Sequence, residues 1–192
     1  MKFKKEEINE KSSPKAYCSW GEVGLLTQLV ASKIQSSNKK YDVILGITNG
    51  GIIPARLMAL ELDINHIQLI PVRNKKLHIE EMPQLATDKK YLVVDEIYDT
   101  GETFTKVKYE MQDFDCDYAF LMRRSNDTND DDTGCEISFI GKILNHDKWI
   151  VFPWEQKNYY RTDICLDFTY STMLRLFLMD IPCKPTKSKV IK

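Results

Sequence analysis

The chain has 192 residues, 43% of them hydrophobic and 29% charged, enough for one α/β domain with a real core and a short appendage. A formal net charge of −1 argues against a protein that mainly grips nucleic acid or anionic membrane, and no apolar run approaches the length of a membrane span. The five cysteines (Cys18, Cys116, Cys135, Cys165, Cys183) are odd in number and lack C-x-x-C spacing, so they read as reduced thiols of a cytoplasmic protein and not as a zinc site.

In chain order, residues 1–18 form a polar lead-in whose charged start, MKFKKEEINE, shows no signal-peptide core. Ser19 and Glu22 have capping-box spacing, and Val23, Leu26, Leu29, Val30 and Ile34 recur at helical intervals, which predicts a helix over 20–36. Asp42 to Thr48 reads as a buried strand and runs into Asn49-Gly50-Gly51. A helix then starts around Pro54. Residues 65–72 alternate and fit a third strand, whereas Arg73 to Lys90 is polar, without clear periodicity, and reads as a long loop. His66, His78 and His146 show no ligand spacing.

The most informative stretch is YLVVDEIYDTGET, residues 91–103. Its continuous apolar run predicts a strand buried on both faces, ending in two adjacent carboxylates, Asp95 and Glu96. Asp99, Thr100, Gly101, Glu102 and Thr103 follow as a turn into a helix over 102–114. Thr100 and Thr103 can cap that helix and leave backbone N–H groups that suit a phosphate. Upstream, the Gly50-Gly51 pair also sits between a strand end and a helix start, where backbone N–H groups can approach an anion closely.

Tyr118 to Met122 is a further strand, ending in Arg123-Arg124. The acidic stretch 125–134 lacks the glutamate and spacing of a calcium loop and reads as a solvated turn. Ile137–Leu144 and Trp149–Phe152 are the last strand candidates; an apolar group lies within 164–180, and a basic tail follows. Strands alternating with helices predict a parallel, doubly wound sheet with ligands at the carboxyl ends of its strands.

The 91–103 stretch closely resembles the signature of the type I phosphoribosyltransferases. KWIVFPWE, residues 148–155, is similar to the purine-binding strand of the 6-oxopurine members, which act on hypoxanthine, guanine or xanthine. The resemblance spans roughly residues 20–163. It implies a Rossmann-like parallel sheet flanked by helices with a small base-binding hood, and a division into a lead-in (1–18), a transferase domain (19–163) and a C-terminal extension (164–192).

The resemblance also assigns roles. Asp95 and Glu96 would hold the ribose hydroxyls of phosphoribosyl pyrophosphate and, with Glu155, place Mg²⁺. Thr100, Gly101, Glu102 and Thr103 would wrap the 5′-phosphate, with Asp99 at the start of the same loop as general base. Asn49, Gly50, Gly51 and Arg161 would hold the pyrophosphate. The family usually has Lys or Arg where this chain has Asn49, and often a cis peptide just ahead of the glycine pair. Trp149 would stack on the purine, backbone groups from Ile150 to Trp154 would bond its edge, and Arg123 would replace a lysine that donates to the 6-oxo group, with Arg124 competing for that role. Residues 73–90 would form a mobile flap bearing Arg73, Lys75 and Lys76. The implied enzyme is a cytoplasmic homodimer or homotetramer of purine salvage. A transferase for another base, such as a pyrimidine, and a catalytically silent donor-sensing regulator are the alternatives.

Overall fold

A computed structural model describes residues 14–125 and 139–156. The chain divides after Pro153 into two units. Of the second, Trp154, Glu155 and Gln156 fall among the described residues.

The first unit is built on five parallel strands in the order β3-β2-β6-β7-β8. These are β2 (Val43–Ile47), β3 (Ile67–Ile70), β6 (Lys90–Tyr98), β7 (Asp115–Arg124) and β8 (Phe139–Leu144). Helix α1 (Trp20–Ser36) precedes β2, α2 (Ile52–Glu61) joins β2 to β3, and α3 (Glu102–Glu110) joins β6 to β7. The expected doubly wound parallel sheet is therefore present.

The continuous apolar runs are explained by what lies on each face. Ile44, Leu92 and Val94 pack with Val30, Ala31 and Ile34 of α1 and Ala55, Met58 and Ala59 of α2. Their strand neighbours Val43, Leu45, Tyr91 and Val93 point the other way and pack with Phe104 and Val107 of α3. Covering both faces leaves no position in the middle of β2 or β6 where a polar side chain is tolerated. Each of the buried apolar side chains there contributes roughly 1.5–3 kcal/mol. On the α3 side, Tyr98, Phe104, Tyr118 and Phe120 interlock edge to face, with ring centres 4.8 to 5.8 Å apart.

The predicted capping box of α1 is present: Glu22 N–H donates to Ser19 Oγ at 3.2 Å, and Ser19 N–H donates to Glu22 Oε2 at 2.9 Å. Two stretches differ from expectation. Within the lead-in, Lys15–Tyr17 form β1, which pairs in parallel with β9 (Trp149–Val151) as a small separate sheet. Ala16 lies opposite Ile150, and Trp149 N–H donates to Pro14 O at 2.9 Å.

The polar stretch after Arg73 is not a featureless loop. β4 (Val72–Arg73) and β5 (Lys76–Leu77) make a hairpin across Asn74 and Lys75, both with positive φ. Arg73 then pairs in two-pronged fashion with Glu81, Met82 and Leu85 pack on the core, and the Tyr91 hydroxyl bonds both N and O of Ala86. Two-residue strands are too short to leave an alternation in the sequence, which is why only polarity was visible.

Among the described residues no helix is long and apolar enough to cross a membrane. The apolar group within 164–180 and most of the acidic stretch 125–134 lie outside the described residues.

Candidate active site

All the parallel strands point the same way, so their carboxyl ends and the loops that follow share one edge of the sheet. Three of these ends carry the residues singled out by the sequence.

At the end of β2 the chain turns through Thr48, Asn49, Gly50 and Gly51 into α2, and the Thr48–Asn49 peptide is cis. Thr48 Oγ1 donates to Val72 O and accepts Val72 N–H, each at 2.8 Å, which ties this turn to the strand beyond β3. Backbone leaves no room for a side chain at Gly51, and Glu96 fills the space beside Gly50. A Cβ on Gly51 would lie 2.5 Å from Val94 O and 2.7 Å from Ile47 O. A Cβ on Gly50 would fall on the carboxylate of Glu96. Gly51 is also the N-cap of α2, with no side chain capping it, so the first-turn N–H groups face the same edge.

At the end of β6, Asp95 and Glu96 stand side by side, and Asp95 Oδ1 accepts the Glu96 N–H at 3.0 Å. Asp95 is only partly open to solvent; burial first, and then the neighbouring Glu96 carboxylate, hold its pKa well above the usual carboxylate range. Glu96 Oε2 is buried with no hydrogen-bond partner among the described residues. Two carboxylates this close, one with an unused buried oxygen, suit a divalent cation or the hydroxyls of a sugar diol. Mg²⁺ therefore fits the residues present.

Past Tyr98 the chain turns through Asp99, Thr100 and Gly101. Gly101 has φ 79°, and a Cβ there would lie 2.6 Å from the Tyr98 hydroxyl. The N-cap of α3 is Gly101, where the sequence reading gave Thr100 with Thr103 that role. Thr100 Oγ1 only reaches the Glu102 N–H at 3.5 Å, and no side chain caps the helix. The first-turn N–H groups of Glu102 and Thr103 remain suited to an anion. The Glu102 carboxylate is held by Lys106 at 2.8 Å and Lys75 at 3.4 Å; Lys106 above all keeps its pKa below the ordinary carboxylate value. Only its backbone therefore suits a phosphate. Lys106 Nζ also donates to Lys75 O at 2.8 Å, which fastens the β4–β5 hairpin to the first turn of α3.

At the end of β7 the two arginines part. Register places Arg123 opposite Tyr98, and its guanidinium lies 5.8 Å from the centre of that ring. Arg124 turns to the other side, where its Nε donates to Asp99 Oδ1. The sequence resemblance puts the 6-oxo role on Arg123, with Arg124 competing for it. The pairing register of β6 and β7, which no local pattern encodes, sends the two side chains to different neighbours.

Trp149 sits on β9 and is 55% exposed, while its neighbour Ile150 is buried. In the second unit, Trp154 is half-buried and Glu155 exposed, on the 3₁₀ turn Pro153–Glu155. Arg161 lies outside the described residues. A hollow of about 500 Å³ bordered by Gln35, Asn38, Lys39, Tyr41 and Asp63 lies at the amino ends of the strands, away from all of this chemistry.

Residues 22–161 match the family described as phosphoribosyl transferase domain. A xanthine-guanine phosphoribosyltransferase of Idiomarina loihiensis is 27% identical over 158 residues, 78% of this chain and 92% of that protein. Its counterpart in Cereibacter sphaeroides is 25% identical, covering 75% of this chain and 89% of the other. Among solved structures, a purine phosphoribosyltransferase from Pyrococcus horikoshii is 30% identical with a TM-score of 0.57, covering 74% of this chain and 94% of that one. Strand order, the glycine pair under Glu96 and the turn into α3 thus agree with an independent match over most of the chain, and the protein belongs to the type I phosphoribosyltransferase family.

Proposed function

We propose that the protein transfers the 5-phosphoribosyl group from phosphoribosyl pyrophosphate to a 6-oxopurine, releasing pyrophosphate and the nucleoside monophosphate, as a step of purine salvage. The observation that carries this reading is the meeting of Gly50 with Glu96. It brings an anion-binding turn, a buried acid pair and the first turn of α3 to one edge of the sheet. The named relatives supply the choice of base.

In this reading Thr100, Gly101, Glu102 and Thr103 bind the 5′-phosphate, Thr100 and Thr103 through hydroxyl and backbone, Glu102 through its N–H alone. Asp95 and Glu96 accept the ribose hydroxyls. Asn49, Gly50 and Gly51 offer N–H groups to the pyrophosphate; Asn49 adds a neutral amide where a cation is usual. When bound, Mg²⁺ would screen the crowded phosphate charges and hold diol oxygens against Asp95 and Glu96. The bond from the anomeric carbon to pyrophosphate breaks as the purine nitrogen bonds to that carbon, and the proton shed by the purine passes to Asp99. General-base help of this kind is worth about 10² to 10⁴ in rate. The exposed face of Trp149 stacks on the purine, and the backbone of Ile150 borders its edge. The β4–β5 hairpin, beside the phosphate turn, is the element placed to limit water near the sugar cation. For Arg123, the guanidinium over Tyr98 keeps the 6-oxo assignment open to either arginine. For Trp154, Glu155 and Arg161 the assignment rests on sequence resemblance. A homodimer or homotetramer belongs to the same proposal and is read out by sedimentation.

The test is pyrophosphate release from donor and Mg²⁺ with hypoxanthine, guanine, xanthine, uracil and orotate offered singly. Turnover with a 6-oxopurine supports the reading. Turnover with a pyrimidine alone overturns the choice of base, and donor binding without turnover on any base overturns the enzymatic reading in favour of a regulator.

A further inference from the structure

Arg124 closes β7, and its side chain is 14% exposed. Its hydrogen bonds run in two directions. Nε donates to Oδ1 of Asp99, and Nη1 donates to the carbonyl of His146. Nη1 and Nη2 also reach the carbonyl of Lys148, at 3.4 and 3.3 Å. His146 and Lys148 belong to the turn between β8 and β9, and Lys148 immediately precedes Trp149. One flat, permanently charged group therefore spans from the turn after β6 to the residue that introduces β9. A guanidinium fixes the angles between its partners because its donors lie in one rigid plane.

We propose that Arg124 is a positioning residue for the transfer reaction, which rests on the function proposed above. It holds the Asp99 carboxylate at a set distance and angle from the strand bearing Trp149, so that proton acceptor and stacking surface meet the same purine. By occupying Oδ1 it leaves Oδ2 as the oxygen that takes the proton. Three partners, Asp99 and the His146 and Lys148 carbonyls, engage most of the donors of the fork in four hydrogen bonds, which suits it to orient these elements. Lysine cannot replace it fully, because a single ammonium can serve Asp99 or the turn carbonyls but lacks the planar fork that joins them.

The experiment compares wild type, Arg124→Met, Arg124→Lys, Asp99→Asn and both Asp99→Asn/Arg124 double variants, by steady-state pyrophosphate release at saturating base, with the Tm of each. Arg124→Met is expected to lower kcat about 10- to 100-fold, as misplacement of a reacting group by about 1 Å can. The donor KM should stay within about threefold, Arg124→Lys should fall between the two, and in the Asp99→Asn background either change should cost less than about twofold more. Multiplicative losses in the double variants, an unchanged kcat in Arg124→Met, or a donor KM that rises in step with the loss would overturn the assignment. If Arg124→Met does not fold, the Arg124→Lys cycle decides by the same criterion. A wild type that turns over no base overturns the proposed function and this inference together; an active wild type with independent losses overturns the inference alone.

Discussion

Glu96 occupies the space that a side chain at position 50 would need: a Cβ built on Gly50 lands on its carboxylate. The ends of β2 and β6, 46 residues apart in sequence between these two positions, are thereby closed against each other. The contact predicts that Gly50→Ala displaces the Glu96 carboxylate and weakens donor binding at least about tenfold, in line with roughly 1–3 kcal/mol for overpacking. Titration calorimetry with the donor and Mg²⁺ checks this, with circular dichroism showing that the sheet persists. Unchanged donor affinity would mean that Glu96 has no part in holding the sugar.

Asp99→Asn keeps shape and hydrogen-bonding reach but cannot take a proton. Turnover should fall about 10² to 10⁴-fold while the donor dissociation constant stays within about threefold. Pre-steady-state pyrophosphate release separates chemistry from product release. A variant with nearly normal chemistry would remove Asp99 from the role of base.

Trp149 presents more than half of its surface to solvent on a short strand. Trp149→Ala should therefore leave Tm nearly unchanged and the donor affinity intact, and raise the KM of the base about 5- to 100-fold, the range expected for loss of one aromatic stacking contact. Steady-state kinetics with base varied at saturating donor provides the check. An unaltered KM would place the purine elsewhere.

Gly101 has a φ of 79°, and the Tyr98 hydroxyl leaves no room for a methyl group beside it. Gly101→Ala should lower stability by about 1–2 kcal/mol or more from backbone strain alone. Because the same residue caps α3, binding of the 5′-phosphate should weaken as well. Thermal unfolding and a titration with ribose 5-phosphate measure the two effects, and loss of neither would show that the turn is not held as described.

Burial first, and nearby Glu22 second, push the Cys18 thiol up to about 11. The unfolded chain gives up this proton near pH 8.5, the folded protein only at the higher value. Between these limits the folded state retains the proton that the unfolded state has lost, so stability falls as pH rises through that window. Wild type should lose Tm more steeply than Cys18→Ala from pH 8 to 11, and the thiol should resist alkylation at neutral pH. Parallel pH curves for the two proteins would contradict the assignment.

The parts of the fold visible in the sequence are those governed by long or strongly local signals. The run Tyr91–Val94 could be seen as a strand because it needs apolar residues on both faces, and the start of α1 because Ser19 and Glu22 satisfy each other. The glycine pair and the acid pair stood out because strand ends concentrate chemistry. What stayed hidden depends on distant partners. β1 is a strand only because β9 lies beside it, and the β4–β5 hairpin turns on Asn74-Lys75 without a glycine to announce it. The capping role moved from Thr100 to Gly101 because the turn into α3 passes through a left-handed residue packed against Tyr98, where a glycine fits and a Cβ does not. The parting of Arg123 from Arg124 follows from strand register, and a shift by one residue would exchange them.

The central claim is that one edge of the sheet, between Gly50, Glu96 and the first turn of α3, receives a sugar bearing phosphates at both ends. Titration calorimetry of the wild-type protein with phosphoribosyl pyrophosphate in the presence of Mg²⁺ tests it most directly. Saturable one-to-one heat that disappears when Asp95 and Glu96 are both changed to alanine, in a protein that still melts cooperatively, is the predicted result. Absence of heat in the wild type, or binding that survives loss of both acids undiminished, would contradict the account.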